Sequence, residues 1–130
     1  MFLDAPFVFL LLLATSSALR PPLTASRRAS EFLHRFNQAA ALNPRSIDAL
    51  TTSHLTYIKC VGTQRKYPEV KRKADFSTDV FSWKRIGYLV DATAYGRDIT
   101  ILTVRFGERT LEFTLANRNM LVQVAKEKGC

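Results

Sequence analysis

The chain is poor in almost everything that marks a catalytic or metal site. Two histidines, His34 and His54, and two cysteines, Cys60 and Cys130, cannot easily furnish the four ligands of a zinc site. The five glycines are scattered, so no glycine-rich loop is present to cradle a phosphate. No Gly-x-Ser-x-Gly elbow offers a serine nucleophile. Asn37, Asn43, Asn117 and Asn119 all lack the following hydroxyl partner, which excludes an N-glycan. No cofactor and no metal are expected.

Long apolar runs are also missing. The one unbroken run, residues 7–14, rises about 12 Å as a helix at roughly 1.5 Å per residue. That is far short of the ~30 Å hydrocarbon core, so no membrane span is expected. Followed by Ser16 and Ala18, the small residues a signal peptidase selects, the run reads as an export signal cleaved after Ala18. Asp4 stands where such signals usually carry a basic residue. An uncleaved anchor or a buried N-terminal helix is the alternative. The expected division is a signal peptide over 1–18, an extended leader over 19–25 and a single domain over 26–130. The mature chain is then secreted and extracellular, or held within the secretory pathway.

Acidic residues are few, 11 against 19 Lys and Arg, giving a formal charge of +8. Such a balance suits an acidic polymer, an anionic surface or an acidic protein, and it also serves solubility alone. The roughly 112 residues left after cleavage suffice for one core. In an oxidising compartment the two cysteines suggest a Cys60–Cys130 disulfide, closing a loop of about 71 residues and worth roughly 4 kcal/mol. Two free thiols, or an intermolecular bridge through Cys130, are the other readings.

Along the chain, Ser26 is a plausible cap for a first helix running to about Leu42. Ala29, Phe32, Leu33, Phe36, Ala39 and Ala40 form its apolar stripe. Asn43-Pro44 breaks that helix and caps a short second one anchored by Ile47 and Leu50. A strand over 54–60 follows, with a turn at 61–63. The basic stretch 64–74 reads as a short helix opened by Tyr67-Pro68, with Val70 and Ala74 facing inward. Period-two texture then predicts strands over 80–86, 88–95, 99–106, 110–116 and 120–126. Leu111, Phe113 and Leu115 alternate with Thr110, Glu112 and Thr114, so that strand has one buried and one wet face. Helices first and then an antiparallel meander indicate an α+β class, with the helices covering one face of a curved sheet.

This order resembles the nuclear transport factor 2-like (cone, or ketosteroid-isomerase-like) superfamily: a long helix, a short Pro-started helix, a strand, a third helix and a meander. It is more closely similar to a branch of small secreted nematode proteins. The local signature is Ala29-Ser30-Glu31-Phe32-Leu33, then Leu55-Thr56-Tyr57-Ile58-Lys59-Cys60-Val61-Gly62-Thr63, and the terminal Cys130. Leu55 and Thr63 stand where that branch carries aromatics. The resemblance implies a cone-shaped sheet whose mouth, closed by helices, often holds a small apolar ligand. It also implies a homodimer through the sheet face as one mode of assembly.

An isomerase of the superfamily's kind needs a carboxylate base inside the cone. The strand over 54–60 has none. Asp91, mid-strand, would serve only if it faced inward, and the outward reading is the better one. His54, at a strand start, suits a solvent-facing role more than that of a base. Phe32, Phe36, Tyr57, Phe81, Trp83 and Phe113 have the size to line a cone pocket or, the better reading, to fill it. Arg65, Lys66, Lys71, Arg72 and Lys73 make a candidate anion-binding patch on the basic helix and its flanks. The function these readings support is a secreted, non-catalytic binding or interaction module. Carriage of a small apolar ligand comes second and isomerase-like catalysis third.

Overall fold

A computed structural model describes residues 24–130. The expected export signal, and the leader up to residue 23, lie outside the described residues. Helix α1, Ala25–Leu42, starts slightly earlier than the sequence suggests. Thr24, not Ser26, is the cap: its backbone is extended and its hydroxyl accepts the Arg27 N–H at 3.2 Å. The buried stripe is Ala29, Phe32, Leu33, Phe36 and Ala39, as the periodicity requires. Asn43 ends α1 and caps α2, Pro44–Asp48, accepting the Ser46 N–H at 2.8 Å. Ile47 is the fully buried anchor of α2.

Two expected elements differ. Strand β1 is longer than predicted, Thr51–Val61, and the basic stretch after it is not a helix. Gly62 turns the chain at φ 87°, a short 3-10 turn follows over Thr63–Arg65, and β2, Tyr67–Lys71, returns antiparallel beside β1. Pro68 fits there because β2 is an edge strand, where a missing N–H costs no ladder bond. Val70, expected inside, is 69% exposed, and Ala74 is exposed as well. The expected strand over 80–86 is instead the end of helix α3, Lys73–Trp83. Asp75 starts that helix by accepting the Arg72 N–H at 3.1 Å, and Lys84, left-handed at φ 53°, stops it. Phe76 and Val80, one turn apart, point into the core, so tertiary burial overrides the β-preference of Val80, Phe81 and Trp83.

The meander forms as read: β3 Tyr88–Tyr95, β4 Ile99–Phe106, β5 Arg109–Ala116 and β6 Leu121–Glu127. The single sheet runs β2-β1-β6-β5-β4-β3, antiparallel except between β1 and β6. That parallel pair brings the last strand beside the first. The Cys60–Cys130 disulfide joins the two there, with Cα atoms 5.3 Å apart. Leu102, Val104, Leu111, Phe113, Leu115, Val122 and Ala125 face the helices at 0% exposure. The opposite face, with Ile58, Ile101, Thr103, Thr114 and Val124, carries no helix in the described residues. Asn37, which the stripe on α1 left unassigned, ties the helix to the sheet. Its amide donates to the Gly87 carbonyl at 3.0 Å and accepts the Gly87 N–H at 2.8 Å.

Candidate functional site

The interior of the curved sheet is filled with aromatic rings. Phe36 sits at the centre, with ring centroids 5.3 Å from Phe113, 5.7 Å from Phe32, 6.0 Å from Phe106 and 6.2 Å from Phe76. Tyr57 closes on Phe76 edge-on at 5.2 Å. Of the six residues proposed to line or fill a pocket, Phe32, Phe36, Tyr57 and Phe113 are fully buried core. Phe81 and Trp83 sit at the rim, partly buried. Edge-on and tilted ring pairs at these spacings add roughly 0.5–1.5 kcal/mol each beyond burial, so this packing is stabilising in its own right.

Polar groups gather where the rings give out. The Tyr57 hydroxyl donates to Asp79 at 2.9 Å, and Lys59 pairs with the same carboxylate oxygen at 2.8 Å. Burial, and then the bond to Asp79, push the Tyr57 phenol well above its ordinary value, so it is held as a donor. Glu127 is 4% exposed and is satisfied by three donors. Its Oε1 accepts the Cys60 N–H at 3.1 Å, and its Oε2 receives Arg65 at 3.3 Å and Arg109 at 3.5 Å. Among the described residues no buried side-chain nitrogen or oxygen lacks a partner. Glu127 therefore has both oxygens engaged, while Asp79 is engaged through one of its two.

Arg65 reaches Glu127 through an unusual turn. Gln64 and Arg65, which follow Gly62-Thr63, both adopt left-handed backbone, φ 65° and 52°. For non-glycine residues this costs roughly 1–2 kcal/mol each. Between Arg65, Arg85 and Arg109 opens a cleft of about 650 Å³, walled by Trp83 and Phe106. The Arg109 guanidinium lies 4.9 Å over the Trp83 ring, and Trp83 packs on Phe106 at 5.7 Å.

The basic residues singled out from sequence come from successive elements and not from one helix. Arg65 belongs to the turn, Lys66 follows it, Lys71 ends β2, Arg72 caps α3 and Lys73 opens α3. Three of the five are held in ion pairs: Arg65 with Glu127, Lys71 with Glu69 at 3.0 Å and Arg72 with Asp75 at 3.6 Å. The hairpin stands where a helix was expected, so the five do not share one helical face. Asp91 is exposed, and it pairs with Thr103 rather than facing the core. His54 is exposed on β1.

Asp79, Glu127 and Arg109 were missed as site residues. A signal existed for Glu127: Ala125 and Glu127 are two apart, so the strand period carries Glu127 to the buried face. Asp79 was hidden because its helix was read as a loop and a strand.

No family model matches the chain, and no curated protein matches it. Among solved structures it is similar to an NTF2-like protein of unknown function from Cytophaga hutchinsonii, with 11% identity and a TM-score of 0.49. That match covers 84% of this chain and 92% of the other. It is also similar to a protein of ketosteroid isomerase-like fold from Catenulispora acidiphila, solved with trimethylamine. There the identity is 10% and the TM-score 0.43, over 76% of this chain and 85% of the other. Long helix, short Pro-started helix, strand, third helix and meander follow one another here on a single mostly antiparallel sheet. The chain thus has the α+β architecture expected of it, with its helices on one face of a single mostly antiparallel sheet.

Proposed function

We infer that the protein is an exported, non-catalytic binding module that recognises its partners at the surface. The observation carrying this reading is the filled cone: Phe32, Phe36, Tyr57, Phe76, Phe106 and Phe113 are each at most 2% exposed and stack on one another. A ligand of sterol size would have to displace them. The apolar groove between α1 and α3, beside Ala40, Val80 and Phe81, holds only about 230 Å³. Ligand pockets usually measure roughly 300–1,000 Å³, so the groove is small for a carrier. The Glu127 carboxylate, held by three donors, argues in the same direction against isomerase-like proton abstraction, which needs an unencumbered base.

Export is supported by the short apolar run ahead of Ala18 and by the Cys60–Cys130 bond, a linkage that persists outside reducing compartments. No helix among the described residues is long and apolar enough to cross a membrane. The helix-free face of the sheet is the surface for pairing with a second copy. It carries Ile101 and Val124 at its middle, and Asp91, Glu112, Arg105 and Lys126 supply both signs of charge. A two-fold contact requires one patch to complement itself, and a patch of mixed sign can do so.

Native mass spectrometry of the protein secreted from eukaryotic cells tests the reading. The expected result is a mass corresponding to residues 19–130, two hydrogens lighter than the reduced chain, with no small molecule retained. A stoichiometric apolar ligand in the spectrum would transfer the assignment to a carrier.

A further inference from the structure

We propose that the cleft between Arg65, Arg85 and Arg109 is a binding site for a small organic oxyanion. The ligand class is a phosphate, sulfate or carboxylate carried on a flat apolar body. Three observations carry it. First, positive charge converges there without being matched. Arg65 and Arg109 share one oxygen of Glu127 at 3.3 and 3.5 Å, and Arg85 forms no ion pair among the described residues. Two guanidinium groups held by a single carboxylate oxygen leave most of their N–H donors unused, since each carries five. Glu108 at the rim is the other acidic group of the cleft.

Second, the backbone is forced to place Arg65 there. The consecutive left-handed residues Gln64 and Arg65 are an observed strain, and strain of this kind gathers at binding sites because a relaxed turn would aim the side chain elsewhere. Gly107, left-handed at φ 64°, makes the β4–β5 turn on the far wall, and the Arg85 side chain lies alongside it.

Third, the cleft has an apolar wall of suitable size. Trp83 and Phe106 form it, and about 650 Å³ accommodates an aromatic ring with its charged group, unlike the groove between the helices. Guanidinium forks match the paired oxygens of an oxyanion, and the part of the indole that Arg109 and Phe106 leave uncovered borders the body of the ligand. The site depends on this geometry alone, so it stands or falls separately from self-pairing of the sheet and from the absence of an interior ligand.

Trp83 is the chain's single tryptophan, which makes the cleft its own reporter. Phenyl phosphate, phenyl sulfate, benzoate and inorganic phosphate should be titrated into the full mature chain while indole fluorescence is read. The aryl oxyanions should give saturable changes that weaken as salt rises. Inorganic phosphate should compete at the same site about tenfold more weakly, having no apolar body. Arg85→Ala should weaken phenyl phosphate about tenfold, while Arg109→Lys, which keeps the charge but loses the fork, should weaken it several-fold. Lys73→Ala, from the basic stretch outside the cleft, should change nothing. No saturable signal from any aryl oxyanion, or Arg85→Ala and Arg109→Lys both binding as the parent does, would overturn the site. Equal binding of inorganic and phenyl phosphate would overturn the organic class.

Discussion

Removing both sulfurs, as Cys60→Ala with Cys130→Ala, is the perturbation whose magnitude the structure fixes best. The bond spans a sequence separation of 70 and ties β1 to the residues that follow β6, its parallel neighbour. In the chain-entropy treatment a loop of that length restrains the unfolded state by about 4 kcal/mol. Polar contacts of the sulfurs add little: they reach the Glu127 carbonyl at 3.9 and 3.8 Å. The native chain should stay folded without the bond, because the Lys128 N–H still donates to the Thr110 carbonyl at 2.8 Å and β6 keeps both neighbours. At roughly 2 cal/mol/K of unfolding entropy per residue, a domain of this size should lose about 20 °C in Tm. Urea titration discriminates the mechanism. An unfolded chain freed of its cross-link exposes more surface, so the denaturant slope should rise as the midpoint falls. A loss below about 1 kcal/mol with an unchanged slope would refute the reasoning.

Three further outcomes follow from single positions. Phe36→Ala, at the centre of the ring cluster, should cost about 3–5 kcal/mol in chemical denaturation, and a cost under about 1 would show that the interior is loosely packed. Gly87→Ala should cost about 1–3 kcal/mol, since its Cβ would lie 2.7 Å from Phe106 and 2.8 Å from Val104; a neutral result in thermal melts would contradict that fit. Because the Tyr57 phenol is raised above its ordinary value of 10.0, its stabilising effect is complete below that pH and is lost as pH rises through the higher folded value. One of the four tyrosines should then yield its phenolate absorbance only as the chain unfolds in alkali, and four ionisations without unfolding would exclude the buried assignment.

Much of the fold was legible because its signals are local. The α1 stripe, the Asn43-Pro44 break and the Leu111-Phe113-Leu115 alternation each lie within one element, where periodicity speaks directly. What was lost was decided by distant partners. Tyr67-Pro68 looks like a helix start until β1 offers Val61 and Cys60 as pairing positions, and Pro68 is tolerated only because nothing pairs on its other side. Val80, Phe81 and Trp83 look like a strand until the cluster around Phe36 draws Phe76 and Val80 onto one helical face. The candidate site suffered most, since its three arginines and Glu127 come from four places: the turn after β1, the segment after α3, the start of β5 and the end of β6. No spacing rule links Arg65 to Arg109. Only the sheet order, which sets β6 between β1 and β5, brings them to one carboxylate.

That carboxylate also couples the cleft to the disulfide. Glu127 accepts the Cys60 N–H with one oxygen and both arginines with the other, so the staple and the arginine pair meet on one side chain. The two arginines are secured differently. Arg109 opens β5, whose pairing with β6 reaches Leu111 opposite Glu127 and does not depend on sulfur. Arg65 follows β1, whose pairing with β6 ends at Ile58 opposite Lys126; beyond it the disulfide and the Cys60 N–H hold the two strands together. Without the sulfurs the left-handed turn at Gln64 and Arg65 loses its anchor and can relax. In the doubly substituted protein at low temperature, the amide at position 60 should exchange about tenfold faster or more, while the β5–β6 amides keep their protection. Phenyl phosphate affinity should fall along with it, because one of three guanidinium groups is no longer held over the cleft. Unchanged exchange at position 60 would show that hydrogen bonding alone fixes the turn, and the proposed link between oxidation and the cleft would fail.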